Sequence, residues 1–356
     1  MRRLFAALIV AAGLLLLPAV PGPAAAESAV GSWTVPARTI PLPATTSPQF
    51  LKKLRQLPAP NLAAAEKMVP TGRAAWLKLI EARNRRTTKT ALELAKRYGI
   101  VIRSGTIGGV PVRYLYPKEI SNRNRNRIFL HLHGGAYVFN GGMAGIYEAV
   151  LIADRARIQV LSVDYRMPPE DPFPAALKDV VKVYRTLIRK EFPGRIAIGG
   201  TSAGGGLTLA AVLKFKELGL SLPGALFLGT PWSDLSKTGD SLYTNAGIDH
   251  ILVSYDGLLE AAARLYAGGH DLKEPLLSPV YGDFKDFPPA FLVSGTRDLL
   301  LSHTVRVHRK LRQAGVVAEL NVIEGFSHAD YIFAFAAPES QTIYRELGGF
   351  LDRYLR

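Results

Sequence analysis

An α/β fold, in which helices flank a mostly parallel sheet, is the class that this 356-residue sequence predicts. Beyond Gly99, short apolar runs alternate with amphipathic segments, as expected for parallel strands joined by helices. Hydrophobic residues make up 48% of the chain and cysteine is absent, so we expect a large core to stabilise it without disulfides.

The first 26 residues have the pattern of a secretory signal peptide. Arg2 and Arg3 precede an apolar run over residues 4–17, and small residues end the segment at Ala26. The run is shorter than the roughly 20 apolar residues that a membrane-spanning helix needs, although an uncleaved anchor is the alternative. We therefore expect cleavage after Ala26 and export to the periplasm or the medium.

Residues 27–100 contain no convincing strand. Apolar residues such as Met68, Trp76 and Ile80 have helical spacing. This composition predicts a helical N-terminal cap or extension, followed by an α/β domain over residues 101–356.

Strands are predicted from short apolar runs. Residues 110–116 alternate with period two and precede Pro117, which favours an antiparallel edge strand. Buried strands are predicted at 128–133, 159–165, 195–200, 225–229, 290–295 and 318–325.

Helices are predicted between these strands from apolar residues three or four apart. One helix begins after Asp171 and Pro172, and two others cover 207–218 and 305–314. The last helix lies around 343–354, near the end of the sequence. Residues 236–285 break the alternation and are expected to form an insertion near the carboxyl edge of the sheet.

The chain is strongly basic, with a formal charge of +15 that falls to +13 when Arg2 and Arg3 leave with the signal peptide. Positive charge is concentrated at Arg83–Arg86 and at Ser121–Arg127, without interleaved aromatic residues. Solvated loops are favoured over a nucleic-acid-binding face, and weak association with anionic surfaces is the remaining expectation.

Five glycines surround Ser202 in the stretch from Ala197 to Ala210. Ser202 directly follows a predicted strand and precedes a predicted helix, which is the context of a nucleophile on a sharp strand-to-helix turn. A phosphate-binding loop is the competing interpretation, but no lysine follows the glycines and the G-x-G-x-x-G spacing is missing. A purely structural glycine-rich turn remains an alternative.

A serine nucleophile needs a base and an orienting carboxylate. His328 and Asp298 each follow a predicted strand, and with Ser202 they occur in the chain order Ser, Asp, His. Asp330 and Glu324 lie nearer to His328 in sequence and are alternative acids, but the strand-end position favours Asp298.

Oxyanion donors are expected from the glycines after the strand at 128–133. Gly134 and Gly135 would contribute backbone N–H groups, and Ala203, directly after Ser202, would contribute a third. His133 is expected to anchor this loop rather than to transfer protons.

Five segments carry a resemblance to a known family: HGGAY, the segment from Val163 to Asp179, GGTSAGGG, GTRDLL and GFSH. In these segments the sequence resembles the hormone-sensitive-lipase-type branch of the α/β-hydrolases, a group of bacterial esterases and lipases. The resemblance covers about residues 100–356. It implies an α/β-hydrolase fold with a helical N-terminal cap over the site, and the catalytic triad Ser202, Asp298 and His328.

Three positions depart from the pattern of that family. Ala136 replaces the third glycine of HGGG, Thr201 stands where Asp commonly precedes the nucleophile, and Ser302 stands where a second Asp often follows the triad acid. These departures bear on substrate preference more than on reaction type.

The sequence therefore predicts an exported, lipase-like serine esterase that cleaves carboxylic esters of short to medium acyl chain without metal or cofactor. Its expected partner is a small-molecule ester. Possible residues of the acyl pocket are Tyr137, Trp232, Tyr243 and Phe333, for each of which a core role is the alternative. A hydrolase of lactones, acetylated sugars or xenobiotic esters would use the same triad, and a non-catalytic ligand-binding protein of the same fold is the alternative from another class.

Overall fold

A computed structural model describes residue 31 and residues 34–356. The predicted signal peptide over residues 1–26 lies outside the described residues. Residues 34–41 carry no helix or strand, and residues 42–356 form one compact unit. Within the described residues, no helix is both long and apolar enough to cross a membrane.

An eight-stranded sheet with the order β1-β2-β4-β3-β5-β6-β7-β8 forms the centre of this unit. Its strands are β1 (Val101–Ile107), β2 (Val110–Tyr116), β3 (Ile128–Leu132), β4 (Gln159–Val163), β5 (Ile196–Thr201), β6 (Ala225–Gly229), β7 (Ala290–Gly295) and β8 (Ala318–Ile323). Strand β2 pairs antiparallel with β1 and β4, whereas all pairs from β4 to β8 are parallel. The predicted α/β fold with a mostly parallel sheet is confirmed.

The edge strand was assigned wrongly from the sequence. The run at 110–116 is the second strand, and the edge is β1, which the sequence analysis did not predict. Most of β1 is exposed or half-buried, so its residues carry little of the apolar pattern that reveals a strand.

Helices cover both faces of the sheet. Their bounds are α1 (Pro48–Arg55), α2 (Leu62–Glu66), α3 (Gly72–Tyr98), α4 (Tyr147–Ala156), α5 (Ala175–Leu187), α6 (Ala203–Glu217), α7 (Ser241–Thr244), α8 (Leu258–Ala267), α9 (Leu301–Gln313), α10 (Asp330–Phe333) and α11 (Pro338–Tyr354). The longest of them, α3, is followed by Gly99, whose positive φ of 65° lets its N–H turn back onto the last carbonyls of the helix.

Two apolar layers sandwich the sheet because successive side chains of a strand point to opposite faces. Leu130 of β3 belongs to the apolar cluster that includes residues of α5, α6 and α9, whereas Phe129 belongs to the cluster that includes residues of α3, α4 and α11. This alternation gives every central strand two buried faces, as parallel sheets require.

The parallel pairing decides where the polar residues meet. Strands β3, β5, β7 and β8 all point in the same direction, so the segments that follow them emerge at the same edge of the sheet. Those segments contain His133, Ser202, Asp298 and His328.

Candidate active site

Ser202 lies between β5 and α6 in a backbone conformation that residues other than glycine rarely adopt. Its φ is 61° and its ψ is −122°. Hydrogen bonds hold this turn: Ser202 N–H donates to the Gly229 carbonyl at 2.8 Å, and the Ser202 carbonyl accepts from the N–H groups of Gly206 and Trp232. The strain is thus offset by the surrounding backbone, as is typical of functional turns.

The glycines beside Ser202 permit a close approach of two strands. A Cβ atom at Gly200 or at Gly204 would overlap the carbonyl oxygen of Leu132 at the end of β3. A side chain at either position would therefore push the turn away from β3 and from the loop that follows it.

His328 and Asp298, two residues of the predicted triad, are in contact. His328 Nδ1 lies 3.1 Å from Asp298 Oδ1, and both residues are buried. Asp298 is itself fixed by hydrogen bonds from Ser294 Oγ and from the N–H of Leu300. With Nδ1 engaged, Nε2 is the ring nitrogen of His328 that can accept a proton.

The surroundings favour the charged form of His328. Burial by itself would lower the pKa of the imidazole, but the Asp298 carboxylate, through its charge and its hydrogen bond, raises it, and the charges of Asp249 and Asp330 add to this. The net pKa is above the ordinary histidine value of 6.5. An imidazolium formed during a reaction would be stabilised by the same carboxylates.

Asp330 and Glu324, the alternative acids, do not contact the His328 ring. Asp330 Oδ1 lies 3.1 Å from His250 Nε2, and its Oδ2 accepts the Ser327 N–H at 2.8 Å. Glu324 is exposed at the end of β8.

Asp249, which the sequence analysis did not identify, joins the two loops that hold this pair. Its Oδ2 accepts the His328 N–H at 3.1 Å and the Leu299 N–H at 2.8 Å. Burial and the nearby Asp298 charge raise the pKa of Asp249. No sequence motif signals this role, because its partners are backbone groups of distant segments.

Ser202 and His328 line one cavity of about 560 Å³, hereafter the Ser202 cavity. Gly134, Gly135 and His133 also line it, and apolar walls come from Ala65, Met68, Phe139, Leu252, Leu258 and Phe333. Within the described part of the chain, no hydrogen bond joins Ser202 Oγ to His328. Such bonds are commonly long in ligand-free sites and shorten when substrate binds.

Two glycines of the loop after β3, Gly134 and Gly135, line this cavity. Among the described residues, the N–H groups of Gly134 and Gly135 donate to no protein acceptor. A Cβ at Gly134 would lie 2.7 Å from the Thr201 carbonyl, and Gly135 has a φ of 124°. Ala203 is the first residue of α6, so its N–H has no acceptor within the helix.

Ala136 adopts a φ of 54° in place of a glycine, and Tyr137 follows with a φ of 60°. These left-handed residues turn the loop so that Gly135 O accepts the Phe139 N–H at 2.7 Å. The alanine that replaces the third glycine of HGGG therefore adopts a strained, left-handed conformation.

His133 is held inside this loop. Its Nδ1 donates to the Gly134 carbonyl at 2.9 Å, its own carbonyl accepts from the Tyr165 hydroxyl at 2.6 Å, and the two rings stack. Burial lowers the pKa of His133 to about 4, so the ring is neutral at neutral pH. These contacts support the anchoring role expected for His133.

Of the four aromatic residues considered for the acyl pocket, Phe333 lines the Ser202 cavity. Tyr137 and Trp232 are buried in the core, where Tyr137 stacks on Tyr266. Tyr243 is 60% exposed and lies outside the cavity lining.

A buried polar network supports the turn from beneath. Glu148 accepts hydrogen bonds from the backbone N–H and the hydroxyl of Thr201, and its Oε2 lies 3.2 Å from His131 Nε2. The Tyr331 hydroxyl lies 2.6 Å from Thr201 Oγ1. Sequence reasoning missed this network, because no spacing rule links α4 to the end of β5.

The sequence matches the α/β-hydrolase fold family over residues 129–332. An acetyl-hydrolase of Streptomyces hygroscopicus is 31% identical over 247 residues, which are 69% of this chain and 81% of that protein. An esterase of Acinetobacter venetianus is 29% identical over 227 residues, which are 63% of this chain and 74% of that protein.

Solved structures agree with this assignment. The crystal structure of an esterase called E25 has a TM-score of 0.90 and 48% identity, and the match covers 91% of this chain and 99% of that one. A hormone-sensitive lipase from a metagenome library has a TM-score of 0.74 and 28% identity, over 88% of this chain and all of that one. The chain thus belongs to the α/β-hydrolase fold family, in its hormone-sensitive-lipase-like esterase branch.

Proposed function

We propose that this carboxylic ester hydrolase uses Ser202, His328 and Asp298 as a catalytic triad and acts on esters of short to medium acyl chain. The observation that carries the proposal is the shared cavity: Ser202 on its strained turn and the Asp298-bonded His328 line the same space. Three residues far apart in sequence rarely combine in this way without a chemical reason.

The proposed reaction has two halves. His328 Nε2 removes the proton of Ser202 Oγ as the oxygen attacks the ester carbonyl, and the protonated ring then passes the proton to the departing alcohol. Water, deprotonated by His328, attacks the carbonyl of the resulting acyl-enzyme. The bond to Ser202 Oγ then breaks, the acid leaves, and the protonated His328 ring returns the proton to Ser202 Oγ. The N–H groups of Gly134, Gly135 and Ala203 stabilise the negative oxygen of both tetrahedral intermediates.

Cavity size and lining support a short or medium acyl group. A volume of about 560 Å³ with largely apolar walls accommodates a modest alkyl chain. The similarity to an acetyl-hydrolase supports an acetyl ester as the second candidate substrate, again with the same triad. A purely ligand-binding role leaves the Asp298–His328 pair without a purpose.

The decisive experiment compares Ser202→Ala with the wild type on 4-nitrophenyl esters of increasing acyl length, on lactones and on acetylated sugars. We expect ester turnover to fall by several orders of magnitude, on the order of 10⁴ or more, while the fold is kept. A fluorophosphonate probe should label the wild type and not the variant. Ser254→Ala is the matched control, since Ser254 lines the same cavity. Near-normal turnover by Ser202→Ala would refute the proposal.

We also propose that the protein is exported. The pattern over residues 1–26 supports this, and the basic charge supports weak association with anionic surfaces. N-terminal sequencing of protein recovered from the periplasm or the medium should begin at Glu27. A chain that retains residues 1–26 there would contradict cleavage.

A further inference from the structure

The basic stretch Arg83–Arg86 lies in helix α3, not in the loop that the sequence analysis favoured. Two of its arginines and two threonines are spaced three, four and seven residues apart, which places them along one face of the helix. All four line the Ser202 cavity: Arg83, Arg86, Thr87 and Thr90. Cationic and hydroxyl groups thus form one edge of an otherwise largely apolar cavity.

These two cations have no acidic partner among the described residues. Neither guanidinium of Arg83 and Arg86 has a carboxylate oxygen within 4.0 Å, whereas the neighbouring Arg85 pairs with Glu81 at 2.6 Å. The carboxylates that line the cavity are engaged elsewhere, because Asp256 binds Lys237 Nζ and Glu148 is bonded to Thr201. The cavity therefore carries uncompensated positive charge at this edge.

Hydrogen bonds fix the part of α3 that carries Arg83 relative to the loop that contains Gly134 and Gly135. The Asn140 N–H donates to Asn84 Oδ1 at 2.7 Å, and Asn140 Nδ2 donates to the Gly134 carbonyl at 3.0 Å. The guanidinium of Arg83 lies 4.6 Å from the ring centroid of Phe139. Stacking on a ring holds the guanidinium without using its N–H groups, which stay available for a ligand.

The surroundings of Arg83 favour an added anion. Arg83 and Arg86 are both exposed to solvent, although the protein around the Arg83 guanidinium desolvates it enough to lower its pKa. A guanidinium remains charged under such conditions. A partly desolvated cation gains most when a carboxylate supplies charge-assisted hydrogen bonds.

We propose that Arg83 and Arg86 form a subsite for a carboxylate on the substrate, remote from the ester that is cleaved. The preferred substrates are then half-esters of dicarboxylic acids, whose alkyl chain lies against apolar walls such as Leu258 and Phe333. This inference rests on the proposed function of Ser202 for its reaction, but the binding of the anion does not depend on catalysis.

The first test compares two 4-nitrophenyl esters with the same suberyl chain, mono-4-nitrophenyl suberate and 4-nitrophenyl methyl suberate. The long diacid avoids attack of the free carboxylate on its own ester. We expect the ratio of kcat/KM for the half-ester to that for the diester to fall about fivefold in Arg83→Gln or Arg86→Gln, and about 20-fold in the double variant. Raising the ionic strength should lower the same ratio in the wild type.

Arg85→Gln is the matched control, because it removes the same charge from the same helix outside the cavity. Its ratio and its overall activity should equal those of the wild type. An equal loss of the ratio in Arg85→Gln, or an unchanged ratio in the Arg83 and Arg86 variants, overturns the subsite.

The second test measures binding without turnover. Calorimetry on Ser202→Ala should show tighter binding of monomethyl suberate than of dimethyl suberate, and this difference should disappear when Arg83→Gln and Arg86→Gln are added. Equal binding of the two compounds overturns the subsite. Selective binding together with no serine-dependent hydrolysis by the wild type would instead refute the proposed function alone.

Discussion

Glu148 accepts two hydrogen bonds from Thr201, the residue directly before Ser202, one from the backbone N–H and one from the hydroxyl. The N–H to Oε2 distance is 3.1 Å. Both residues are buried, and Tyr331 completes the network through Thr201 Oγ1. Burial is the larger cause, and the Glu148 charge the smaller one, of a raised pKa at Tyr331. The Tyr331 hydroxyl therefore stays protonated and can donate a hydrogen bond to Thr201 Oγ1.

Thr201→Asp is expected to be destabilising, although Asp is common at this position in the family. The new carboxylate would lie against Glu148 in a buried site, and a second buried charge of the same sign costs about 3 kcal/mol or more. Urea unfolding at pH 7.5 should show this loss of unfolding free energy. Adding Glu148→Gln should recover much of the loss, with Glu148→Gln alone as the control. Strictly additive effects of the two substitutions would show that the carboxylates do not interact.

Asp298→Asn is expected to reduce kcat by several orders of magnitude, about 10⁴-fold, because the amide cannot hold the His328 ring in the form that accepts the serine proton. Asp330→Asn should be mild, since Asp330 bonds His250 and the Ser327 N–H rather than the His328 ring. Steady-state kinetics on one ester decides between the two acids. The reverse ranking would assign the acid to Asp330.

The pH profile offers an independent readout of the same carboxylates. A base must be neutral to act, so activity should rise with pH through the pKa of His328, which lies above 6.5. The Asp330 charge contributes to this raised pKa. In Asp330→Asn the acidic limb of kcat/KM should therefore move to lower pH, with a plateau near that of the wild type. A limb that stays in place would mean that another group controls it.

Gly204→Ala is expected to cost about 3 kcal/mol of unfolding free energy and most of the activity. The added Cβ would overlap the Leu132 carbonyl oxygen, which belongs to the backbone and cannot move aside cheaply. Gly349→Ala in α11 is the control: its Cβ would meet its nearest atom at 3.8 Å, and the helix should gain about 0.5–1 kcal/mol. Thermal unfolding of both variants measures these changes in stability. A Gly204→Ala variant as stable as the wild type would contradict the prediction.

His303 should make the protein less stable in acid. Within the described part of the chain, neither ring nitrogen of this buried histidine has a hydrogen-bond partner, and burial lowers its pKa to about 4. Between pH 6.5 and 4 the unfolded chain binds a proton at this position that the folded chain does not. His303 should then contribute a fall of about 1.4 kcal/mol per pH unit in the free energy of unfolding as the solution is acidified, beside a similar contribution from His133, whose pKa is also about 4.

His303→Gln removes this titration and should show a shallower loss of unfolding free energy between pH 6.5 and 4.5. His328 does not mask the effect. Its raised pKa contributes stability that is fully present below pH 6.5 and is lost only as the pH rises through the raised value. Identical slopes for the wild type and His303→Gln would contradict the assignment.

Residue order and local pattern alone determined most of the fold. Runs of apolar residues located β3 to β8 and the helices α5, α6, α9 and α11, since buried strands and helices of a parallel sheet leave strong periodic signals. The same reasoning failed for β1, whose exposed residues such as Arg103 and Thr106 are not constrained by a core. The Gly108–Gly109 turn joining it to β2 was its one local signal.

The sequence by itself also determined that Ser202, Asp298 and His328 follow strands, which predicts their common edge of the sheet. Only the tertiary structure decided what surrounds them: Asp249 lies 79 residues from the His328 N–H that it binds, and Glu148 lies 53 residues from Thr201. Packing of whole elements creates such contacts, and no spacing along the chain records them. The position of Arg83 on the cavity wall has the same origin, since periodicity predicts a helix but not the surface against which that helix lies.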